Sequence, residues 1–318
     1  MLKKIKSLLL VVILTVSTVG CSSTQTKEDD NMRVTLILDE GGVNDQSVNQ
    51  SAWEGALNAS EDFNIDVSYI EATGESEYLP NIERAIDLES DLIIGVGFKL
   101  ADTIEEAADA YPEQNFAIID ATYDKIPTNV QPILFDEQMS GYTVGLIASQ
   151  VTETNTIGFV GGMDIPSVSN FLVGFEKAIK KENSNIKVLS QYANSFTDAA
   201  KGRAIAEQMV SQGADILFAC GGGVNTGVFE VTREKGIKAI GVDMPSNYIS
   251  PDTIITSALK NVGTGVELTI KDLVEGNFKG GQAKIFDISN NGVGYEKTDL
   301  LTDEIIEYVE NKLSDLTE

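Results

Sequence analysis

The side chains best suited to bind a ligand gather in one short stretch near the start of this sequence. Residues 39–55 read DEGGVNDQSVNQSAWEG and carry many uncharged hydrogen-bonding groups. The stretch follows an apolar run at 34–38 that is typical of a buried strand, and it leads into a helical pattern at 52–59. Ligands bind at the carboxyl ends of strands in open α/β sheets, so we expect a binding site here. Because most of its hydrogen-bonding groups are uncharged, a neutral polar ligand is favoured over a phosphate. Asp45 and Ser47 also suit a simpler role, as caps of the helix that follows.

The overall composition narrows the range of possible functions. The chain has 318 residues, a net charge of −26 and no histidine. The negative charge argues against a nucleic-acid partner, and the lack of histidine excludes histidine-based catalysis and histidine-ligated metals. The two cysteines, Cys21 and Cys220, suggest neither a disulfide framework nor a zinc site. We therefore expect no metal site and no cofactor.

A catalytic function would have to depend on another base, and Asp45, Asp120 and Asp243 are the candidates by position. The sequence contains no G-x-S-x-G nucleophile elbow and no phosphate-binding P-loop. Three glycines at 221–223 follow an apolar run, but they lack the spacing of a dinucleotide-binding fingerprint. We expect Gly221 to let the backbone come close to a ligand. Binding is therefore favoured over catalysis.

The first 21 residues have the features of an export signal. Three lysines precede an apolar segment at 8–16, and small or weakly polar residues then lead to Cys21. This pattern is typical of a signal peptide rather than a membrane span. The end of the segment resembles a bacterial lipobox, which predicts lipidation of Cys21; the alternative is a signal peptide cleaved elsewhere. Residues 22–32 are polar and aperiodic, which predicts a flexible tether, so the protein should lie outside the cytoplasmic membrane on a lipid anchor.

Two halves of the chain repeat one pattern of strands and helices. Amphipathic segments alternate with short apolar runs at 34–38, 65–71, 91–96 and 116–119, and then at 156–160, 186–191, 215–219 and 239–242. SDLIIGVGF in the first half aligns with ADILFACGG in the second. Asp91 and Asp215 are 124 positions apart, and Asp120 and Asp243 are 123 apart. The repeat predicts an α/β protein with two lobes, each built on a doubly wound parallel sheet.

The polar residues of both halves follow predicted strands, so two facing lobes would form a cleft between them. Aromatic residues stand beside these turns, at Trp53, Phe98, Phe171 and Phe196. Rings stack on a planar ligand, carboxylates accept hydrogen bonds from sugar hydroxyls, and asparagine can pair with the edge of a base. Lys260 follows a predicted strand and could bridge to Asp243. Together these groups favour a nucleoside, although core packing is an equal alternative for Phe171 and Phe196.

The sequence resembles the basic membrane protein (Bmp/Med-like) family of bacterial substrate-binding lipoproteins, which includes purine nucleoside receptors. Besides residues 39–55, the resemblance is carried by SDLIIGVGF, FAIIDA, IGFVGGMD, SFTDAAKGRAIA, IGVDM and SALKNVG. It implies a type I periplasmic-binding-protein fold, with three hinge crossings between two lobes that close on a nucleoside. It also implies delivery to an ABC transporter. The lobes would comprise residues 33–133 plus 259–280, and residues 134–258 plus 281–318.

The resemblance also implies ligand-binding roles for individual residues. Asp45 and Asn49 match the polar loop of the family's first motif, and Asp120 matches an aspartate that reads the base. Phe171 and Phe196 match aromatics that contact the ring. The group on the ribose side is matched by Gly221, Asp243 and Lys260.

Two positions depart from the family pattern. Val48 stands where the family usually has an aromatic, and Asn44 stands where an aspartate is common. We expect ring stacking to loosen or to shift onto Trp53, which weakens the basis for a purine preference more than for nucleoside binding. The alternatives are a receptor for a sugar or another polar metabolite, and an aspartate-dependent nucleoside hydrolase. We favour a non-enzymatic monomer whose partners are a nucleoside and a transporter permease.

Overall fold

The computed structural model describes residues 31–317, so the predicted signal peptide, Cys21 and most of the predicted tether lie outside the described residues. Six strands form the first sheet: β1 (Arg33–Leu38), β2 (Asp66–Glu71), β3 (Leu92–Gly95), β4 (Asn115–Ile119), β5 (Val130–Phe135) and β11 (Lys284–Phe286). Their order is β11-β5-β4-β3-β1-β2, and all neighbours run parallel. The strands are apolar because helices cover both faces of the sheet.

Four helices cover the first sheet: α1 (Val48–Phe63), α2 (Tyr78–Asp87), α3 (Ala101–Ala110) and α8 (Val262–Val274). The helices α1 and α8 pack on one face, where Leu36 and Leu38 are buried, and α2 and α3 pack on the other face over Ile37. The approach of α1 to α8 depends on glycine, because a Cβ at Gly55 would lie 2.2 Å from the carbonyl oxygen of Gly263. We call this sheet and its helices the first lobe.

The second lobe repeats this plan. Its strands are β6 (Thr156–Gly161), β7 (Lys187–Tyr192), β8 (Ile216–Cys220), β9 (Lys238–Asp243), β10 (Ile254–Lys260) and β12 (Val293–Tyr295), in the order β12-β10-β9-β8-β6-β7. Only β12 runs antiparallel to its neighbour. Its helices are α4 (Glu137–Val151), α5 (Pro166–Glu182), α6 (Ala199–Ser211), α7 (Val224–Lys235) and α9 (Asp303–Thr317). The predicted architecture of two α/β lobes is thus confirmed.

The chain crosses between the lobes three times, at β5–α4, β10–α8 and β11–β12. Backbone hydrogen bonds join these crossings, from the Asp136 N–H to the Phe286 carbonyl oxygen at 2.9 Å and from the Asn261 N–H to the Gly292 carbonyl oxygen at 2.8 Å. The predicted lobe boundaries are wrong in three places. Residues 134–135 complete β5 in the first sheet, and residues 259–260 complete β10 in the second. The assignment of all of 281–318 to the second lobe fails for β11, because this short strand pairs with β5 in the first sheet.

Three elements have no counterpart in the sequence prediction, the strands β5 and β12 and the helix α4. The strand β5 contains Gln131 and Pro132, and proline is unusual inside a sheet. Residues 140–148 of α4 are all buried, so the helix lacks the polar face by which amphipathic helices are recognised. The predicted tether also ends early, because the Met32 carbonyl accepts a hydrogen bond from the Asp66 N–H at 2.9 Å. Across residues 31–317, no helix combines the length and the apolar character needed to cross a membrane.

Candidate functional site

A cavity of about 350 Å³ lies between the two lobes. In the first lobe its walls come from the segments that follow β1, β3 and β4. In the second lobe they come from the segments that follow β7 and β8, the ends of β8, β9 and β10, and the first two turns of α5. The site is therefore at the carboxyl edge of both sheets, where ligands bind in open α/β folds. The volume is at the lower end of the range of small-molecule sites, roughly 300–1,000 Å³.

The polar loop after β1 uses Asp45 to begin α1. One carboxylate oxygen of Asp45 accepts hydrogen bonds from the N–H groups of Ser47 and Gln50, at 2.9 and 3.0 Å, and the other accepts from the Asn49 N–H at 3.0 Å. Burial raises the pKa of Asp45 above its ordinary value despite these three donors. Asp45 does line the cavity, but its contacts are those of a helix cap, which is the simpler role that the sequence allowed.

Ser47 and Asn49 also line the cavity, from the start of α1. The Asn49 side-chain amide donates to Asp39 at 2.8 Å, which fixes its orientation. The Ser47 hydroxyl donates to the Asp243 carboxylate at 2.6 Å. Because Ser47 belongs to the first lobe and Asp243 to the second, this hydrogen bond joins the lobes across the cavity.

Asp120 and Asp243 occupy equivalent places, at the carboxyl ends of β4 and β9. Both have a left-handed backbone, with φ of 61° and 62° respectively. Aspartate tolerates this region better than most residues, but the conformation still costs roughly 1–2 kcal/mol each. The same uncommon backbone at the same place in both lobes turns each carboxylate toward the cavity, and such conformations cluster at functional sites.

Lys260 ends β10 and lies between the two aspartates. Its ammonium is 2.5 Å from a carboxylate oxygen of Asp120 and 3.9 Å from one of Asp243. The sequence suggested Asp243 as the partner, and Asp120 is the closer one. Burial by itself would lower the pKa of Lys260, but the surrounding carboxylates outweigh burial and the pKa is raised. The side chains of Lys260 and Asp120 are only 3% and 6% exposed, and the second oxygen of Asp120 is buried without a hydrogen-bond partner in the protein.

Two aromatic rings face each other across the cavity, Phe98 from the first lobe and Phe196 from the second. Their centroids are 6.3 Å apart and the rings are tilted by 55°. Phe171 also touches the cavity, but it is 1% exposed and packs edge-on against Phe218 in the core of the second lobe. Phe196 is therefore accessible from the cavity, whereas Phe171 serves mainly the core.

Trp53 lies away from the cavity. The helix α1 begins at Val48, earlier than predicted, so Trp53 is more than one turn into the helix. Its ring packs against Tyr69, with centroids 4.9 Å apart. The geometry thus gives no support to the expected shift of stacking onto Trp53, while Val48 itself does line the cavity.

The glycine run after β8 brings backbone to the cavity wall beside Phe196. The N–H of Gly223 donates to the Phe196 carbonyl at 2.8 Å, and Gly222 has a φ of +58° that disfavours other residues. A Cβ at Gly221 would approach Gly162 to 3.0 Å. Gly221 lines the cavity, with its own N–H held by the Asn225 side chain at 2.8 Å.

Several residues at or near the cavity are absent from the predicted set of ligand-binding residues. Lys99 pairs with Glu40 at 2.8 Å and lies 3.4 Å from Asp39, and the Tyr78 hydroxyl also donates to Glu40 at 3.0 Å. The signal was available, since Asp39 and Glu40 follow β1 and Lys99 follows β3. Glu137, buried behind Lys260, was missed together with the helix α4. Within residues 31–317, no three acidic or cysteine side chains are grouped so as to hold a metal ion.

Comparison with known proteins identifies the family. Residues 32–316 match the model of the Bmp family, described as ABC transporter substrate-binding protein PnrA-like. The chain belongs to this family. The predicted resemblance is thereby confirmed, and the chain is a substrate-binding protein of the ABC transporter type, a class that acts outside the cytoplasm.

Individual relatives agree with this assignment. The ABC transporter nucleoside-binding protein BmpA of Lactococcus lactis subsp. cremoris (strain MG1363) is 34% identical over 293 residues, which are 86% of this chain and 83% of that protein. Basic membrane protein D of Borreliella burgdorferi (strain JD1) is 36% identical and covers 92% of this chain and 86% of its own length. The crystal structure of an ABC transporter solute-binding protein from Aeropyrum pernix K1 matches with a TM-score of 0.77 at 31% identity, over 90% of this chain and 80% of that one.

Proposed function

We propose that this Bmp-family protein is a lipid-anchored receptor that takes a nucleoside into the cavity between its lobes and delivers it to an ABC transporter. The observation that carries the proposal is the arrangement around Lys260. One buried ammonium stands between carboxylates from both lobes, Asp120 and Asp243, and aromatic rings from both lobes meet in the same cavity. The nucleoside-binding relative in Lactococcus supports this choice of ligand.

The carboxylates suit the two ends of a nucleoside. The free oxygen of Asp120 can accept a hydrogen bond from an N–H at the edge of a base, and a buried acceptor without a partner gains most from one. Asp243, which already accepts from the hydroxyl of Ser47, is suited to accept from ribose hydroxyls. Lys260 can donate to a ribose oxygen while it stays paired with Asp120.

Binding requires the lobes to move apart and close again. A base sandwiched between two rings needs a centroid spacing of roughly 7 Å, because stacked atoms lie about 3.5 Å apart. Phe98 and Phe196 are 6.3 Å apart and tilted, so they contact each other and must separate to admit a base. The hydrogen bond from Ser47 to Asp243 must also open to let a ribose in. The three hydrogen-bonded crossings are suited to serve as the hinge.

We propose a preference for purine nucleosides, because a larger base buries more surface against Phe98 and Phe196 once the two rings have moved apart. Val48 supplies an apolar edge in place of an aromatic plate, so the two phenylalanines carry the stacking. The expected gain from stacking is about 0.5–1.5 kcal/mol for each ring pair in addition to burial.

Calorimetric titration of the soluble body with adenosine, guanosine, inosine, uridine, adenine and ribose tests this function. Nucleosides should bind more tightly than adenine or ribose, and purine nucleosides more tightly than uridine. Folded protein that binds ribose but no nucleoside would identify a sugar receptor, and no binding of any compound would refute the proposal. Appearance of free base during incubation would favour the hydrolase instead.

The anchor, the monomeric state and the transporter are part of the same proposal. A Cys21→Ser variant should lose its lipid and move from the membrane fraction into the medium. Sedimentation of the soluble body should give a monomer, with or without adenosine. Deletion of the gene should abolish uptake of the nucleoside that binds best, and the Cys21→Ser variant should restore it only poorly.

A further inference from the structure

Glu137 is a buried carboxylate that the binding site described above does not use. It is the first residue of α4, directly after the first crossing, and it is only 5% exposed. One of its oxygens accepts a hydrogen bond from the Asn170 side chain of α5 at 3.3 Å. It does not line the cavity, and its charged neighbours are Lys260 and Asp120, with the Cys220 thiol also within electrostatic reach. A buried carboxylate in this position needs a reason.

The group formed by Glu137, Asp120, Asp243 and Lys260 carries more negative than positive charge. Three carboxylates share one ammonium, so full ionisation would leave two uncompensated charges in a buried place, which is strongly unfavourable. Burial raises the pKa of Glu137, Lys260 opposes this and Asp120 adds to it, so that the pKa is raised to about 7. Burial also raises the pKa of Cys220 well above its ordinary value, so the thiol keeps its proton. Glu137 therefore exchanges a proton near neutral pH.

Contacts at the hinge hold Glu137 close to Lys260. Ser140 lies one turn after Glu137 on the same face of α4, and its hydroxyl donates to the carbonyl oxygen of Leu259, the neighbour of Lys260, at 3.0 Å. The Lys260 ammonium also lies 5.8 Å from the ring centroid of Phe135, at the end of β5. The first turn of α4 and the end of β10 are thus held together, which keeps Glu137 in the neighbourhood of Lys260.

We propose that Glu137 is a positioning residue for Lys260. While Glu137 holds a proton, Lys260 pairs with Asp120 and leaves the cavity ready for a nucleoside. When Glu137 loses the proton, its carboxylate competes with Asp120 for the same ammonium, and the binding geometry is disturbed. Nucleoside affinity should therefore fall as the pH rises through about 7. This consequence rests on the proposed nucleoside function, whereas the proton exchange at Glu137 does not.

The test compares the wild type with Glu137→Gln, which cannot ionise, Glu137→Asp, which keeps a carboxylate, and the exposed control Glu113→Gln. Adenosine is the probe, because its base does not titrate near neutral pH. From about pH 6 to about pH 8.5, the wild type and Glu113→Gln should lose affinity by about fivefold or more. Glu137→Gln should give a flat profile, and Glu137→Asp should restore the slope. A structural role alone would weaken binding equally at every pH, so parallel profiles for the wild type and Glu137→Gln would overturn the proposal.

A second measurement needs no ligand. Folded Glu137 binds its proton more tightly than unfolded Glu137, so the wild type loses stability as the pH rises from about 4.5 to about 7. The difference in unfolding temperature between Glu137→Gln and the wild type should therefore grow in favour of the variant over that range, and should level off above it. A constant difference would overturn the proposal whether or not adenosine binds. If adenosine fails to bind while the difference grows, the nucleoside function fails and the proton exchange at Glu137 stands.

Discussion

Replacement of Asp243 by asparagine is the sharpest test of which carboxylate reads the sugar. The change keeps the shape of the side chain and removes its charge. Asparagine also tolerates the left-handed backbone of this position, where φ is 62°, whereas alanine would add strain of about 1 kcal/mol. The bond between Lys260 and Asp120 at 2.5 Å stays in place, because Asp243 lies 3.9 Å from the ammonium. The variant therefore isolates the carboxylate of Asp243.

The expected magnitude follows from the hydrogen bonds that the carboxylate would make to a ribose. A hydrogen bond to a charged group contributes about 1.5–3 kcal/mol, which corresponds to a roughly 10- to 150-fold loss of affinity when the charge is removed. Free adenine has no ribose, so its binding should change by less than about threefold. Burial raises the pKa of Asp243, so the folded state already disfavours its ionised form, and the neutral variant should fold as stably as the wild type at neutral pH.

Isothermal titration of the variant with adenosine and adenine at the same pH measures both quantities, and thermal unfolding verifies the fold. Ser47→Ala is the matched control, because it removes the existing donor to Asp243 without touching the carboxylate, and it should favour ribose entry or leave it unchanged. Equal losses for adenosine and adenine would show that Asp243 does not read the sugar. An unchanged adenosine affinity would show that the ligand does not contact it.

Three further outcomes separate binding residues from structural ones. Phe196→Ala should lower adenosine affinity about tenfold or more at little cost in stability, while Phe171→Ala, at 1% exposure in the wild type, should lower the free energy of unfolding by about 3–5 kcal/mol in a denaturant titration. Trp53→Phe should leave calorimetric affinity within about twofold, because Trp53 packs on Tyr69 outside the cavity. Adenosine monophosphate should bind about 100-fold more weakly than adenosine in competition, because five carboxylates line the cavity and its two lysines are already paired.

The sequence was informative where pattern and position suffice. Apolar runs and helical periodicity predicted the alternation of strands and helices. The nearly equal offsets of the pairs Asp91–Asp215 and Asp120–Asp243 predicted that both halves share one plan. The helix α4 was not predicted, because it is largely buried and has no polar face. Glu137, its first residue, was therefore not predicted either. The sequence also placed the start of α1 too late. Asp45 accepts hydrogen bonds from the first N–H groups of the helix, so the helix begins at Val48 and Trp53 lies within it, away from the cavity. Lys260 pairs with Asp120 of the other lobe, and this depends on how the two lobes pack together, which a local sequence pattern does not predict.

The repeat explains both the similarity of the lobes and the asymmetry of the site. In the first sheet Ile119 pairs with Ile133, and in the second Leu259 pairs with Asp243, so the ends of β5 and β10 occupy equivalent positions beside Asp120 and Asp243. The position of Lys260 at the end of β10 thus corresponds to that of Phe135 at the end of β5.

The second lobe therefore has the cation of Lys260 where the first lobe has the ring of Phe135. Both lobes have an aspartate with the same left-handed backbone at the neighbouring strand end. The single Lys260 lies 2.5 Å from one oxygen of Asp120 and 3.9 Å from one of Asp243, and the second oxygen of Asp120 is buried without a hydrogen-bond partner in the protein. A ligand with several donors, such as a nucleoside, can complete what the single lysine leaves open. The repeated plan of the lobes thus places two equivalent aspartates at the cavity. The difference at Lys260 leaves a buried acceptor unsatisfied, which favours a polar ligand.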